Sequence, residues 1–208
     1  MLRIALTKGR IEKKAVEILS LAGYDISELL DKGRKLVFKL GDADIEVVLA
    51  KAADVITYIE HGVCDVGIVG EDTIMEHGKW FHEILDLNFG KCKFALAGIK
   101  GQDFYKGYTH KTIASKYPNV TKNYFNSKGL DVEVVKIEGS VELAPILGLA
   151  DAIVDIVETG STLRENGLEV YEDVAYISTR LIVNTAAIKI KKAEIDELTS
   201  RIAAQIEK

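Results

Sequence analysis

The chain opens with an alternation of apolar and polar residues and then changes to a helical spacing. The alternation over Leu2–Leu6 predicts a strand. After the turn Thr7–Arg10, apolar residues recur along what would be one face of a helix: Ile11, Ala15, Ile18, Leu19 and Ala22. Gly23 follows at the position where glycine commonly ends a helix. The opening therefore predicts a strand, a short glycine-containing turn and a helix.

Similar alternations continue along the rest of the chain. In the first half we predict a hairpin, a helix, a buried strand and a short helix, at 36–40 with 45–50, 54–61, 65–70 and 72–77. In the second half we predict strands at 94–99, 112–114, 132–137, 151–157 and within 170–184. Helices are expected at 120–128 and 141–148, and an amphipathic helix closes the chain with one apolar face: Ile195, Leu198, Ile202 and Ile206.

Strands that alternate with helices predict an α/β fold, with largely parallel sheets covered on both faces. Periodicity alone does not distinguish one sheet from two. The 208 residues are enough for one large domain or two small lobes.

Composition excludes several classes of protein. A net charge of −5 argues against nucleic-acid binding through bulk basicity, although local cations can still bind small anions. The start of the chain lacks the pattern of a signal peptide, and no apolar run is long enough to span a membrane, so we expect a cytoplasmic protein. Two cysteines without metal-type spacing are expected to be unpaired, and the four histidines form no metal-ligand motif.

The richest candidate chemistry follows the strand predicted at 151–157. Glu158 is followed by the hydroxyl-rich turn Thr159-Gly160-Ser161-Thr162, which leads into a short helix. Backbone N–H groups, hydroxyls and the start of a helix together suit a phosphate monoester. Asp155 and Glu158 would repel a phosphate, but they suit vicinal ribose hydroxyls or a Mg²⁺ ion shared with a pyrophosphate. The alternative is a structural polar turn with Thr159 as the N-cap.

Other candidates lie at strand ends in the first half. Lys8-Gly9-Arg10 can bind phosphate oxygens, and Arg34 and Lys51 add positive charge; exposed cations at helix starts are the alternative interpretation. A third candidate group lies at the end of the buried strand predicted at 65–70, and it consists of Gly67, Gly70, Glu71 and Asp72. Glycines in this position permit either close approach of a ligand or tight packing of a helix.

Taken in order, these segments resemble the ATP phosphoribosyltransferase family across nearly the whole chain. No single motif is specific, but the ordered set is. The matching segments are Thr7–Arg10, Gly33–Leu36, Asp65–Gly70, Asp86–Cys92, Ile113–Pro118, Glu138–Glu142, Asp151–Asp155, Glu158–Leu163 and Asn166–Leu168.

The resemblance implies a two-lobed fold like that of type II periplasmic binding proteins, with mixed, mostly parallel sheets flanked by helices. The lobes would be 1–91 with 181–208, and 92–180. It also implies the first step of histidine biosynthesis, in which ATP and 5-phosphoribosyl 1-pyrophosphate give N1-(5-phosphoribosyl)-ATP and pyrophosphate, with Mg²⁺ carried by the substrate. Two other classes stay open: a cytoplasmic two-lobed module that only binds a phosphate ligand, and a phosphoribosyltransferase with another acceptor.

The family's site residues carry over onto three groups, with no protein ligand assigned to the metal. Phosphoribosyl pyrophosphate would be bound by Asp155, Glu158, Thr159, Gly160, Ser161 and Thr162. ATP would be bound by Lys8, Gly9, Arg10, Gly70 and Asp72. Catalysis would use Arg10, Arg34 and Lys51 on the polyphosphate. No general base is needed, because adenine N1 carries no proton to remove.

The chain departs from the family pattern at one segment. Many members read Arg-Ala-Ser-Asp-Val-Pro where this chain has Lys51–Ile56. Lysine keeps the charge but loses the bidentate fork of arginine, and loss of proline is expected to loosen the start of the helix. The chain ends after the amphipathic helix, as short-form members do. The resemblance therefore implies a hetero-oligomer with a regulatory subunit that resembles histidyl-tRNA synthetase.

Overall fold

A computed structural model of the chain describes residues 1–107 and 110–206. They form two compact units, one built from Met1–Gly90 with Ser178–Lys208 and the other from Lys91–Ile177. The first change of unit lies one residue before the predicted boundary, and the second lies three residues before it. The second change falls between β10 and β11, two consecutive strands that belong to different sheets.

The elements follow one another with short connections. The first stretch contains β1 (Leu2–Thr7), α1 (Arg10–Leu21), α2 (Ser27–Leu30), β2 (Val37–Lys39), β3 (Ile45–Ala50), α3 (Ala52–Glu60), β4 (Val66–Gly70), α4 (Glu71–His77) and β5 (Phe81–Asp86). The second unit contains β6 (Cys92–Ile99), β7 (Lys111–Ser115), α5 (Pro118–Ser127), β8 (Val132–Lys136), α6 (Leu143–Ile146), β9 (Ala152–Val157), α7 (Ser161–Glu165) and β10 (Leu168–Ile177). The chain returns to the first unit with β11 (Thr179–Asn184), α8 (Ala187–Ile190) and α9 (Lys192–Ile206).

Each unit has its own mixed sheet. The first has the order β2-β3-β1-β4-β11-β5, and the second β10-β6-β9-β7-β8. Within the described residues, four strand pairings are parallel and five are antiparallel, so the sheets are mixed as predicted but parallel pairings do not predominate. The returning strand β11 is one reason, since it lies between β4 and β5 and runs antiparallel to both. Apolar periodicity reports burial but not strand direction.

Three elements were missed by the pattern analysis: α2, β5 and α8. The strand β5 lies at an edge of its sheet, and three consecutive residues from His82 to Ile84 are exposed. A strand without a buried face gives no apolar alternation to detect. The helices α2 and α8 have only four residues each, too few to show a repeating helical period.

Alternating residues of β1 build the core of the first unit. Leu2, Ile4 and Leu6 are buried on one face in the cluster that includes α1 and α9, whereas Ala5 is buried on the other face against α3. Three residues of the predicted apolar face of α9, Ile195, Leu198 and Ile202, are almost fully buried in the first of these clusters. Both faces of this sheet are therefore covered, as the pattern predicted.

No helix in the described part of the chain has the length and apolar character of a membrane span.

Candidate functional site

The second unit has a polar cavity at the carboxyl end of β9. Its volume is about 290 Å³, and it is open to solvent. It is lined by Glu142, Asp155, Glu158 and the turn that leads into α7, Thr159–Leu163. All of the residues predicted to bind phosphoribosyl pyrophosphate thus line one cavity.

The conformation of the turn explains how its polar groups reach the cavity. Gly160 has φ +70°, a left-handed conformation that favours glycine. It also holds the N-cap position of α7, so the alternative that Thr159 is the N-cap is wrong. The Thr159 hydroxyl accepts a hydrogen bond from the Ser161 N–H at 3.4 Å, and the Arg164 guanidinium donates to the Thr159 carbonyl at 3.0 Å. The side chains of Ser161 and Thr162 are exposed.

The two acids beside the turn have different environments. Asp155 lies within β9 and is partly buried, whereas Glu158 follows the strand and is exposed. Burial raises the pKa of the Asp155 carboxyl; the negative charge of Glu142 acts in the same direction, and the positive charge of Lys116 opposes it. A carboxylate in this position can accept hydrogen bonds from vicinal hydroxyls of a sugar.

Two residues of this region were not predicted as site residues. Glu142 lines the cavity, and Lys116 acts electrostatically on Asp155. Both belong to segments that match the family, and that match was the available signal. Their closeness to Asp155 comes from tertiary structure: Lys116 follows β7, which pairs with β9, and Glu142 precedes α6 at the same cavity. Separations along the chain of 13 residues for Glu142 and 39 residues for Lys116 give no hint of this closeness.

In the first unit, the predicted cations lie at one edge of the sheet. The parallel strands β1, β3 and β4 end together, with Thr7 opposite Ala50 and Leu6 opposite Ile68. Three predicted site segments therefore lie at the carboxyl edge of three adjacent strands: Lys8–Arg10, Lys51 and Gly70–Asp72. The carboxyl edge is the usual ligand-binding edge of an α/β sheet.

Glu12 organises the turn between β1 and α1. Gly9 has φ +98°, and its backbone N–H donates to the Glu12 carboxylate at 3.1 Å. Glu12 also pairs with Lys32, which connects the loop carrying Arg34 to the start of α1. Although burial acts in the opposite direction, the hydrogen bonds from Lys32 and Gly9 lower the pKa of Glu12. The carboxylate is thus held ionised between two of the predicted cationic segments.

The glycines of β4 have different roles. A Cβ atom on Gly67 would lie only 2.9 Å from side-chain atoms of Ile59 and Ile182, so Gly67 permits tight packing of α3 on the sheet. A Cβ atom on Gly70 would lie 2.1 Å from the Asp72 carboxylate, so this carboxylate approaches the Gly70 backbone closely. Tight packing is therefore the role of Gly67, while Gly70 makes room for a polar group at the edge.

The segment that departs from the family pattern forms a regular helix. Lys51 is exposed and lies immediately before α3, which runs unbroken through Ile56. Ile56 is 2% exposed and belongs to the core cluster on that face of the sheet. The helix thus begins without proline, and the isoleucine side chain at this position contributes to the core.

The described residues contain no preformed metal-ligand group, and the buried cysteine is not activated. They contain no group of three or more His, Cys, Asp or Glu side chains arranged to hold a metal ion. Cys64 is buried and Cys92 is partly buried, neither forms a disulfide, and burial raises the pKa of the Cys64 thiol to about 11. A thiol with that pKa is a weak nucleophile at neutral pH.

Comparison with known proteins identifies the family. The family described as HisG: ATP phosphoribosyltransferase matches residues 51–204. An ATP phosphoribosyltransferase of Clostridium kluyveri is 62% identical over 99% of this chain and 94% of its own length, and one of Clostridium acetobutylicum is 57% identical over 100% and 96%.

Solved structures agree with the sequence comparison. The ATP phosphoribosyl transferase (HisG:HisZ) complex from Thermotoga maritima contains a chain with a TM-score of 0.85 and 35% identity, matched over 100% of this chain and 99% of that one. The periplasmic aliphatic sulphonate binding protein SsuA from Escherichia coli has a TM-score of 0.61 at 13% identity, covering 99% of this chain and 72% of that one, and it shows a shared fold alone. The chain therefore belongs to the ATP phosphoribosyltransferase family.

Proposed function

We propose that the cavity of the second unit binds the 5′-phosphate and ribose of phosphoribosyl pyrophosphate, and that the carboxyl edge of the first unit's sheet binds the polyphosphates. The reaction of the family condenses ATP with phosphoribosyl pyrophosphate, the first step of histidine biosynthesis. The carrying observation is that a phosphate-type turn and a partly buried carboxylate, Asp155, line the same cavity. The turn would then bind the phosphate of a sugar phosphate, and the carboxylate would bind the sugar hydroxyls.

The division of roles within the cavity follows from charge. The 5′-phosphate would contact backbone N–H groups and hydroxyls of Thr159–Thr162, because N–H and hydroxyl donors satisfy a dianion. The ribose hydroxyls would donate to Asp155 and Glu158, because ionised carboxylates only accept hydrogen bonds. A bare phosphate would leave both carboxylates close to a negative charge, so the arrangement favours a phosphorylated sugar.

The first unit would supply charge for the leaving group and the nucleotide. Lys8 and Arg10 lie on one exposed turn, with Lys51 at the end of the neighbouring parallel strand. Arg34 lies in the loop that Glu12 and Lys32 connect to that turn. Cations fixed near a departing pyrophosphate stabilise the negative charge that develops on it.

The chemical step would depend on position and electrostatics. N1 of adenine attacks the anomeric carbon and forms the new C–N bond, the C–O bond to pyrophosphate breaks, and the electron pair leaves with pyrophosphate. Adenine N1 has no proton, so no side chain has to act as a general base. Correct alignment of the two substrates then accounts for much of the rate.

Mg²⁺ would enter as part of the substrate. Phosphate oxygens and water are its preferred ligands, and it usually takes only one or two protein carboxylates. Because the described residues contain no group of three or more acids or histidines around one point, a metal carried by the pyrophosphate is compatible with this chain.

A regulatory partner is the natural extension of the comparison. The structural relative from Thermotoga maritima was solved as a HisG:HisZ complex. The match covers 100% of this chain and 99% of one chain of that complex. We include in the proposal a hetero-oligomer with such a partner, and a cytoplasmic location where ATP and phosphoribosyl pyrophosphate are available.

A turnover assay tests the proposal. The chain is mixed with ATP, phosphoribosyl pyrophosphate and Mg²⁺, with and without the regulatory subunit, and pyrophosphate release is measured. We expect release that requires ATP. A module that only binds phosphate ligands would release none with any acceptor, and a transferase for another acceptor would release it only when that acceptor replaces ATP.

A further inference from the structure

Arg34 lies in a tight turn of four residues, Lys32-Gly33-Arg34-Lys35, between α2 and β2. The Lys35 N–H donates to the Lys32 carbonyl at 2.9 Å and closes the turn. Gly33 has φ +50°, so the second position of the turn is left-handed, which favours glycine. The closed turn fixes the backbone on which the Arg34 side chain is carried.

Strand pairing brings this turn to the carboxyl edge of the first unit's sheet. The strand β2 runs antiparallel to β3, and the Leu49 N–H donates to the Leu36 carbonyl at 2.8 Å just before β2 begins. The residues that precede β2 therefore run alongside β3 toward its carboxyl end, which Lys51 follows. Arg34 is thus carried toward the edge where the predicted polyphosphate cations lie.

The two lysines of the turn pair with carboxylates that differ in burial. Lys32 pairs with Glu12 in the first turn of α1, and the Glu12 side chain is 10% exposed. Lys35 pairs with Glu28 of α2 at 2.6 Å, and both of these side chains are about half exposed. An exposed pair restrains its partners weakly, because water competes for both charges. The Glu12 carboxylate is buried and also accepts from the Gly9 N–H, so it is a fixed anchor for Lys32.

Arg34 is the cation of this turn that stays available to a ligand. Its side chain is exposed, and it joins none of the ion pairs within residues 1–107 and 110–206. The Lys32 ammonium, in contrast, is directed to Glu12. One cation of the turn therefore attaches it to α1, and another is presented to solvent at the edge of the sheet.

We infer that Lys32 and Glu12 are positioning residues for Arg34: their ion pair fixes the turn to α1 and holds the Arg34 guanidinium ready for the leaving pyrophosphate. The inference rests on the proposed function, since it assumes that Arg34 binds pyrophosphate. A guanidinium that is fixed in advance loses less freedom on binding and stays aligned while charge develops on the leaving group. Lys32 thus acts on pyrophosphate through Arg34, without contacting it.

The test measures the dissociation constant of Mg²⁺-pyrophosphate by calorimetry on the full chain, which does not require turnover. We expect Lys32→Met to weaken binding by about three- to tenfold, and Lys32→Arg to restore it to within about twofold. The matched control is Lys35→Met, which removes an equal charge from the same turn together with an exposed pair, and its affinity should change by less than about twofold. Equal losses for Lys32→Met and Lys35→Met would overturn the inference.

Glu12→Gln distinguishes position from charge. Removal of a negative charge would by itself strengthen the binding of an anion. If the carboxylate acts as the anchor of the turn, the variant instead binds pyrophosphate about three- to tenfold more weakly. An affinity that is unchanged or higher in Glu12→Gln would overturn the inference.

A double-mutant cycle with Arg34→Ala separates the inference from the proposed function. If Lys32 acts through Arg34, Lys32→Met has no further effect in the Arg34→Ala background. Effects that add would mean that Lys32 contacts pyrophosphate itself, and they would contradict the positioning role. If Arg34→Ala alone leaves the affinity unchanged, the assignment of Arg34 in the proposed function is wrong, and the inference fails with it.

Discussion

Arg180, on the strand that returns to the first unit, binds Glu71 at the first residue of α4, with Nε at 3.1 Å and Nη2 at 2.8 Å from the same carboxylate oxygen. Glu71 also accepts a hydrogen bond from the Ser178 N–H at 3.1 Å. Although burial opposes it, the attraction of Glu71, Asp86 and Glu83 raises the pKa of Arg180. The ion pair thereby attaches the returning strand beside Gly70 and Asp72.

This ion pair predicts a loss of stability on Glu71→Gln. Both side chains are about four-fifths buried, so the guanidinium would lose a desolvated partner, and we expect a loss of about 1–3 kcal/mol in the free energy of unfolding. Urea unfolding measures it. Glu197→Gln, which breaks an exposed pair on α9, is the control and should cost no more than about 0.5 kcal/mol. Equal losses in the two variants would show that the Glu71 pair contributes nothing beyond a surface pair.

The phosphate assignment predicts a specific kinetic defect for Thr162→Ala. Loss of a hydroxyl donor to a charged phosphate should raise the KM for phosphoribosyl pyrophosphate by about tenfold, while the KM for ATP stays the same. Thr162→Ser keeps the hydroxyl and should behave like the unchanged protein. Steady-state kinetics with each substrate varied in turn gives both constants, and an unaltered KM for phosphoribosyl pyrophosphate would remove Thr162 from the phosphate site.

Lys51 is predicted to act on the leaving group. Lys51→Ala should lower kcat by about 100-fold, because charge on pyrophosphate develops mainly in the transition state. Lys51→Arg should retain activity, since it restores the residue that many members of the family have. Lys13→Ala, which removes an exposed cation from α1, serves as the control. A change confined to KM would place Lys51 in ground-state binding.

The burial of Asp155 predicts a variant that is more stable and less active. Because burial raises its pKa in the folded protein, the native state binds the proton more tightly than the unfolded chain does. The ionised carboxyl therefore lowers stability above the folded pKa, and this penalty fades as pH falls toward the unfolded value. Asp155→Asn should gain on the order of 1 kcal/mol at pH 7.5, about 2–4 °C in Tm, and less at pH 4.5.

Thermal unfolding of both proteins at the two pH values checks this prediction. An equal Tm at pH 7.5, or a gain that grows on acidification, would contradict the assigned cause. The same variant should bind phosphoribosyl pyrophosphate more weakly. The Asp155 carboxylate would thus lower folding stability while contributing to ribose binding.

The sequence alone determined the elements with a buried face and the nature of the polar turn. The apolar periods of β1, α1 and α9 predicted which residues enter the core, because burial on one side imposes the period of the element. The composition of Glu158–Thr162 indicated phosphate and sugar chemistry, and the order of the motifs identified the family resemblance.

Only the tertiary structure decided the direction of the returning strand β11, the exposed edge strand β5 and the neighbours of Asp155. The direction of β11 depends on how the chain returns to the first unit, and an exposed strand carries no apolar pattern. Lys116 acts electrostatically on Asp155 because β7 pairs with β9 in a register that places Ser115 opposite Val154. Pairing register joins residues that are distant along the chain, so the electrostatic environment of the cavity became visible only in three dimensions.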